Sequence, residues 1–252
     1  MIRVGLLGCG NIGHIIAKNR GNFEITALYD IIFDKARELA DISGGVPYDD
    51  FDSFVMQDFD YVIEAASVKA VRLYGEKVLR NKKNLIVMSV GALGDVEYRK
   101  DLVGIAREYG MKIHIPSGAI TGLDNLKAGQ IAKIESLLLK TTKSPASLGI
   151  TTDKKVLVFR GKANECIKEF PKNVNVSVAL SLAAGMDAEV ELWADPAVER
   201  NIHEIFLSAE FGDIYIRVNN VQSPDNPATS YLAALSILTL LNNLENPLVV
   251  GT

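Results

Sequence analysis

The sequence predicts an α/β protein: a doubly wound parallel sheet first, then a second, α+β unit whose sheet is mostly antiparallel. Two observations carry that expectation. Through Pro116, short runs rich in Val, Ile and Leu alternate with helical patterns, as parallel strands joined by right-handed crossovers do. Beyond it, strand-like runs follow one another with fewer helices between them, which favours an antiparallel sheet with one covered face.

Ile2–Leu7 reads as a strand buried on both faces. A helix begins over 13–19. Phe23–Tyr29 is a second apolar run, ending in Asp30, and 34–42 is helical. Runs at 59–66, 85–90 and 112–115 are the next strands, with helices over 69–80 and around 98–109 between them. Residues 123–132 read as one more helix. Strands are then expected at 134–142, 155–160, 188–194, 201–210 and 214–218, with helices at 163–170 and 174–184. Gly212-Asp213 reads as a hairpin turn, and Ser223-Pro224-Asp225-Asn226-Pro227 as a turn or linker. The closing segment, 229–244, is apolar nearly all round and must be buried, in the first unit or at a subunit interface.

Composition narrows the function classes. At 252 residues the chain has room for one or two domains and a sizeable core. A hydrophobic fraction of 48% with 23% charged residues is that of a globular protein, not a disordered one. Lys plus Arg number 27 against 31 Asp plus Glu, a net charge of −4, so there is no global pull toward nucleic acid or an anionic membrane. Cys9 and Cys166 are too few for a disulfide framework and form no CxxC pair, which suits a reducing cytosol. With no targeting segment and no apolar run of about 18 residues, the expectation is a soluble cytoplasmic protein with no membrane or nucleic-acid partner. There is no metal-ligand cluster, Ser-His-Asp order or P-loop.

The strongest local motif is Gly8-Cys9-Gly10-Asn11-Ile12-Gly13, a G-x-G-x-x-G that leaves a strand and opens a helix. Gly8 allows the tight turn, Gly10 lets a pyrophosphate approach the backbone, and Gly13 lets helix and strand pack closely. The helix N-terminus then offers N–H groups to the phosphates. Asp30, 20 residues after Gly10, is placed to accept from the adenosine ribose hydroxyls, which favours NAD over NADP because a carboxylate repels a 2′-phosphate. A Rossmann-type domain is therefore expected. Small residues end two further strands, Ala65-Ala66-Ser67 and Ser89-Val90-Gly91-Ala92, leaving room for the nicotinamide ribose and ring or simply making ordinary turns.

Of three histidines, His14 reads as structural or solvent-facing and His114 as sheet interior. His203 begins a strand just after a turn, from where its side chain can project from the sheet face, and histidine is the natural acid/base near neutral pH. Asn173, near a helix start, serves equally as an N-cap or as an amide donor to cofactor or substrate, and spacing does not choose.

Over essentially its full length the chain resembles the L-aspartate dehydrogenase family. The resemblance lies in Gly8 to Gly13, Glu64-Ala65-Ala66-Ser67, Ser89-Val90-Gly91-Ala92-Leu93, Pro116-Ser117-Gly118-Ala119-Ile120 and Gly122-Leu123-Asp124. It continues through Phe170-Pro171-Lys172-Asn173-Val174-Asn175-Val176, Ala194-Asp195-Pro196 with Asn201 and His203, and Asn226-Pro227 with Thr229-Ser230. It implies oxidation of L-aspartate to iminoaspartate with NAD or NADP, followed by hydrolysis to oxaloacetate and ammonia or diversion through quinolinate to NAD biosynthesis. It places the catalytic histidine on His203 and cofactor contacts on Ala119 and Asn173. It implies a homodimer and a last helix returning to the first domain, so that 1–117 completed by 226–252 binds the cofactor and 118–225 forms the α+β catalytic and dimerisation domain. Thr121 stands where many members have glycine. The substrate carboxylates need cationic or amide partners, for which Lys143, Lys172, Arg200 and Asn201 are candidates. The competing enzyme reading is a related two-domain reductase, of dihydrodipicolinate or homoserine dehydrogenase type, against which the Asn-x-His stretch argues. A non-catalytic NAD(H)-binding redox sensor would need an interaction surface such as a basic DNA-binding helix, and the sequence offers none.

Overall fold

The computed structural model describes residues 1–19, 21–170, 175–223 and 226–250, without the side chains of 226–229. The chain folds as two compact units, Met1–Pro116 with Ala234–Val250, and Ser117–Ala233.

The first unit runs β1 (Ile2–Leu7), α1 (Asn11–Lys18), β2 (Phe23–Tyr29), α2 (Phe33–Ser43), β3 (Val46–Tyr48), α3 (Phe51–Val55), β4 (Tyr61–Glu64), α4 (Val68–Arg80), β5 (Asn84–Val87), α5 (Val96–Tyr109) and β6 (Ile113–His114). Its six strands are all parallel, in the order β3-β2-β1-β4-β5-β6. Val4, Leu6, Val62, Ile63, Leu85 and Ile86 are buried, which is why these strands read as continuous apolar runs. Helix starts are marked by side chains: Ser67 and Asp95 accept from the third residue of α4 and α5. The order reverses between β1 and β4, the switch point at whose carboxyl edge open α/β sheets bind ligands.

The second unit contains α6 (Leu123–Leu126), β7 (Ile134–Lys143), α7 (Pro145–Leu148), β8 (Val156–Lys162), α8 (Ala163–Glu169), α9 (Asn175–Ala184), β9 (Glu189–Ala194), β10 (Ile202–Ala209), β11 (Gly212–Asn219), β12 (Gln222–Ser223) and β13 (Asn226–Ser230). Its five-stranded sheet has the order β11-β10-β7-β9-β8. Three of the pairings are antiparallel and β7–β9 is parallel, so the sheet is mixed and mostly antiparallel. Alternate residues Leu137, Leu139, Val190, Leu192, Ile205 and Leu207 are buried in one core with Leu180 and Ala184 of α9. The other face carries Lys140, Glu191, Glu204 and Arg160, joined as ion pairs.

The last helix, α10 (Tyr231–Leu244), explains its apolar composition. Ile237 and Leu241 are buried in the core that also holds Val4, Leu6, Ile16, Leu28 and Ile63, so the helix completes the first unit.

Several local expectations are corrected. The short pieces β3 and α3 do not stand out as runs in the sequence: each is under one typical strand or helix long. The helix expected over 123–132 is a single turn followed by a 3-10 turn, Lys127–Gln130, with Gly129 packed against Ile134. The hairpin turn is Glu210-Phe211, because Ala209 pairs with Gly212, whose φ of +130° starts the return strand. Of the expected turn or linker over 223–227, residues 224 and 225 lie outside the described residues; 226–230 form β13, paired with β12, so the last helix begins at Tyr231 and not at 229.

If α10 belongs to the first core, Leu241→Ala should lower the unfolding free energy by about 2–4 kcal/mol, the cost of removing a fully buried leucine. Urea unfolding measures it; a cost below about 0.5 kcal/mol would place this helix outside the core.

Candidate active site

The glycine loop is shaped by three different constraints. Gly8 has φ +103°, and a Cβ there would lie 2.7 Å from the Ala66 Cβ and 2.8 Å from the Ala65 carbonyl. A Cβ on Gly13 would lie 2.8 Å from the Gly8 carbonyl oxygen. A Cβ on Gly10 would meet nothing within 4 Å, so this glycine is not required by the protein's own packing. α1 starts beside that open space with Gly10 as its N-cap, no capping side chain and no acid in its first turn. Asn11 is exposed and Ile12 packs on the first core. Backbone donors at a positive helix end, with no carboxylate of their own to satisfy them, suit a phosphate.

Asp30 braces this loop. Its Oδ2 accepts from the Cys9 N–H at 2.8 Å and its Oδ1 from the Ile32 N–H at 2.9 Å, leaving acceptor capacity on both oxygens. Ile31, Ile32 and Phe33 follow it as exposed apolar residues, 82%, 50% and 38% accessible, with no cation among them. The donor set and the open glycine together fit a dinucleotide.

The ends of β4 and β5 meet on one side chain. Glu64 is fully buried; its Oε1 accepts from the Ala66 N–H (2.9 Å), the Ser67 N–H (2.8 Å) and the Ser89 hydroxyl (2.8 Å), and its Oε2 from the Ser89 N–H (2.9 Å). Burial pushes its pKa above the ordinary carboxylate value, against the pull of the donors. Ser67, whose backbone is held this way, spends its hydroxyl oxygen on the N–H of Ala70. In the sequence Glu64 has no role beyond its place in a motif.

In the second unit, His203 is buried on β10 and pairs across the sheet with Thr141 of β7. Its Nδ1 lies 3.0 Å from the Thr141 hydroxyl. Burial, and then the Lys143 ammonium, push its pKa down to about 3. Lys143 ends the same strand, two residues beyond Thr141 and therefore on the same face, and burial lowers its pKa as well. Ala119 is held from the other side: its carbonyl accepts from the Asn220 amide at 3.0 Å, and Asn220, itself buried, donates its N–H to the Asn201 carbonyl. Arg200 is exposed. Asn173 and Lys172 lie outside the described residues. Thr141 and Asn220 are not singled out by sequence: their partners are distant in the chain, and only strand register brings them together.

His14 places Nδ1 3.1 Å from the Gly10 carbonyl and Nε2 3.9 Å from Glu38. His114 is lowered in pKa by burial and Lys112. Among the described residues no three His, Cys, Asp or Glu groups come together as a metal site, and no helix is long and apolar enough to cross a membrane. Cys9 and Cys166 are free and buried.

Comparison with known proteins divides at the same point in the chain. Residues 5–116 match the family described as homoserine dehydrogenase, NAD binding domain, and residues 124–244 match aspartate dehydrogenase, C-terminal. An L-aspartate dehydrogenase of Methanospirillum hungatei is 62% identical, with all of both chains covered. That of Methanocaldococcus jannaschii is 42% identical, again over the whole of both. The crystal structure of aspartate dehydrogenase from Thermotoga maritima superposes with a TM-score of 0.85 at 33% identity, covering 100% of each chain.

Two outcomes follow from the geometry. Gly10→Ala should fold with wild-type stability and yet lose dinucleotide binding, read by calorimetry, whereas Gly8→Ala should cost about 2 kcal/mol or more of stability because of its φ and its contact with Ala66. Equal stability losses in the two would show that the loop has no space reserved for a ligand. The second concerns acid. An unfolded histidine protonates near 6.5 and His203 only near 3, so the unfolded state binds more protons between those values. Stability should therefore fall as pH drops through that window, by up to about 1.4 kcal/mol per unit from this group. His203→Asn should flatten the dependence measured by urea unfolding at pH 7 and pH 5; an unchanged slope would show that His203 is not held neutral.

Proposed function

The chain belongs to the L-aspartate dehydrogenase family, and on that premise we propose that it oxidises L-aspartate to iminoaspartate with NAD, NADP being the weaker alternative. The observation that carries the proposal is the buried His203, bonded to Thr141 and on the same sheet face as Lys143, in the half of the chain that matches the aspartate dehydrogenase C-terminal family. The NAD-binding half matches a more widely shared domain and does not by itself choose a substrate.

When bound, the oxidised nicotinamide supplies the acceptor for the hydride that leaves the aspartate Cα. In the proposed roles Gly8, Gly10, Asn11, Ile12 and Gly13 present the backbone to the pyrophosphate. Asp30 takes the adenosine ribose and so disfavours a 2′-phosphate, while Ala66, Ser67, Ser89, Ala119 and Asn173 serve the nicotinamide end.

The substrate amine must be neutral before its carbon can release hydride. His203 accepts that proton. In the tautomer whose Nδ1–H is donated to the Thr141 hydroxyl, Nε2 carries the lone pair. A base whose pKa sits near 3 is weak, and the cause indicates the remedy. A substrate carboxylate that pairs with Lys143 cancels the charge that disfavours imidazolium, so the bound substrate raises the basicity of His203. Hydride transfer leaves the protonated imine; once His203 has passed its first proton to solvent it accepts one from the attacking water, and collapse of the carbinolamine releases oxaloacetate and ammonia, which leaves with that proton as ammonium. Iminoaspartate captured before hydrolysis is the precursor through which the reaction would feed quinolinate and NAD biosynthesis. The family resemblance supports a homodimer, and the two buried free cysteines suit a reducing cytoplasm.

Absorbance at 340 nm with NAD should rise with L-aspartate and not with D-aspartate, L-glutamate or L-alanine. His203→Ala should lower kcat/KM by about 10²–10⁴-fold. Lys143→Met should act mainly on KM for aspartate, by about 10–100-fold, the scale of a lost charge-assisted bond. Turnover of homoserine or dihydrodipicolinate without aspartate activity would transfer the chain to the related reductases. Full activity in His203→Ala would remove this residue from the chemistry.

A further inference from the structure

Glu64 is the one fully buried carboxylate among the described residues, and nothing in the mechanism above uses it. Its four partners are neutral, and three of them are N–H groups that can only donate, a set that fits the anion. Among the described residues no cation stands within ion-pair distance of it, although ion pairs such as Lys77–Asp52 and Arg72–Asp95 are formed elsewhere. A buried charge without a counter-charge is costly, and a protein that keeps one either neutralises it or has a use for it.

Its location suggests the use. Glu64 ends β4 and bonds the loop after β4 to the loop after β5. Both loops lie at the carboxyl edge of the sheet, beyond the reversal of strand order at β1 and β4. In a doubly wound sheet the two mononucleotide halves of a dinucleotide take the two sides of that reversal. Asp30 and the glycine loop mark the first side as the adenosine side, so the β4–β5 side is left to the nicotinamide half.

We propose that Glu64 is a positioning residue that also acts through its charge. Its uncompensated carboxylate fixes the β4 and β5 loops and favours the cationic, oxidised nicotinamide over the neutral, reduced one. This rests on the reading of the first unit as a nicotinamide-dinucleotide domain. The two effects are separable. Fixing the loops strengthens binding of both redox forms alike. The charge acts on their ratio, because oxidised and reduced rings differ by one unit of positive charge.

Calorimetric titration of the full chain with NAD+ and with NADH, without substrate, tests this. Glu64→Gln, nearly isosteric but uncharged, should weaken NAD+ about five- to tenfold more than NADH, the scale of one buried unit charge acting on another through protein. Glu64→Asp keeps the charge on a shorter stem and should weaken both forms while leaving their ratio within about twofold of the wild type. Equal weakening of both forms in Glu64→Gln would leave Glu64 a loop brace alone and overturn the electrostatic effect. Should Glu64→Gln not fold, Glu64→Asp carries the test, since a changed ratio with the charge retained would equally overturn it. A wild-type protein that binds neither form would sink the dehydrogenase reading and this inference with it.

Discussion

The carboxyl edge of the first sheet depends on how closely two loops pass each other. Chain leaving β1 at Gly8 lies against Ala65 and Ala66, with no room for even a methyl group. That approach fixes the course of the glycine loop, which Asp30 then braces through the Cys9 N–H. The Ala66 side of the approach is fixed in turn by Glu64, whose carboxylate also holds Ser89. One close contact and two carboxylates thus tie together the ends of four strands, β1, β2, β4 and β5. A preorganised edge of this kind spends its conformational entropy on folding rather than on ligand binding.

The second unit solves a different electrostatic problem. It keeps an imidazole and an ammonium on the same buried face of one sheet, Lys143 at the end of β7 and His203 across from Thr141. Two groups that both become cations cannot both be charged there cheaply, and the histidine yields. The outward face of the same sheet shows the contrast. There Lys140 and Arg160 are matched by Glu204 and Glu191, and partial exposure keeps every one of them close to water.

How much of this is legible in the sequence varies with the range of the interaction. Strands β1 and β2 are readable to the residue, because their mainly apolar runs, interrupted only by Arg3, Glu24 and Thr26, are ended by the flanking Gly8 and Asp30. The glycine loop is readable because its constraints are local. The division of labour among its glycines is not, since the clash at Gly8 comes from Ala66, nearly sixty residues on. His203 can be singled out as a titratable group at a strand start, but its depressed pKa cannot. That property comes from Lys143 and from burial, both set by the register of β7 against β10. Glu64 escapes notice for a simpler reason. An acid at the end of an apolar strand looks like the point where the chain reaches solvent, and only the converging donors of Ala66, Ser67 and Ser89 reveal the opposite.

The course of α10 has a consequence for synthesis. The first unit needs Ile237 and Leu241 to close its core, yet the whole second unit is translated between Pro116 and that helix. Domains usually fold in the order in which they emerge. Here the unit that emerges first must wait with an open apolar flank, while the unit that emerges second can finish before it. Six parallel strands, slow to pair because their partners are far apart in the chain, are the part left waiting. During that interval the nascent chain is exposed to aggregation, and chaperone demand should centre on its amino-terminal half.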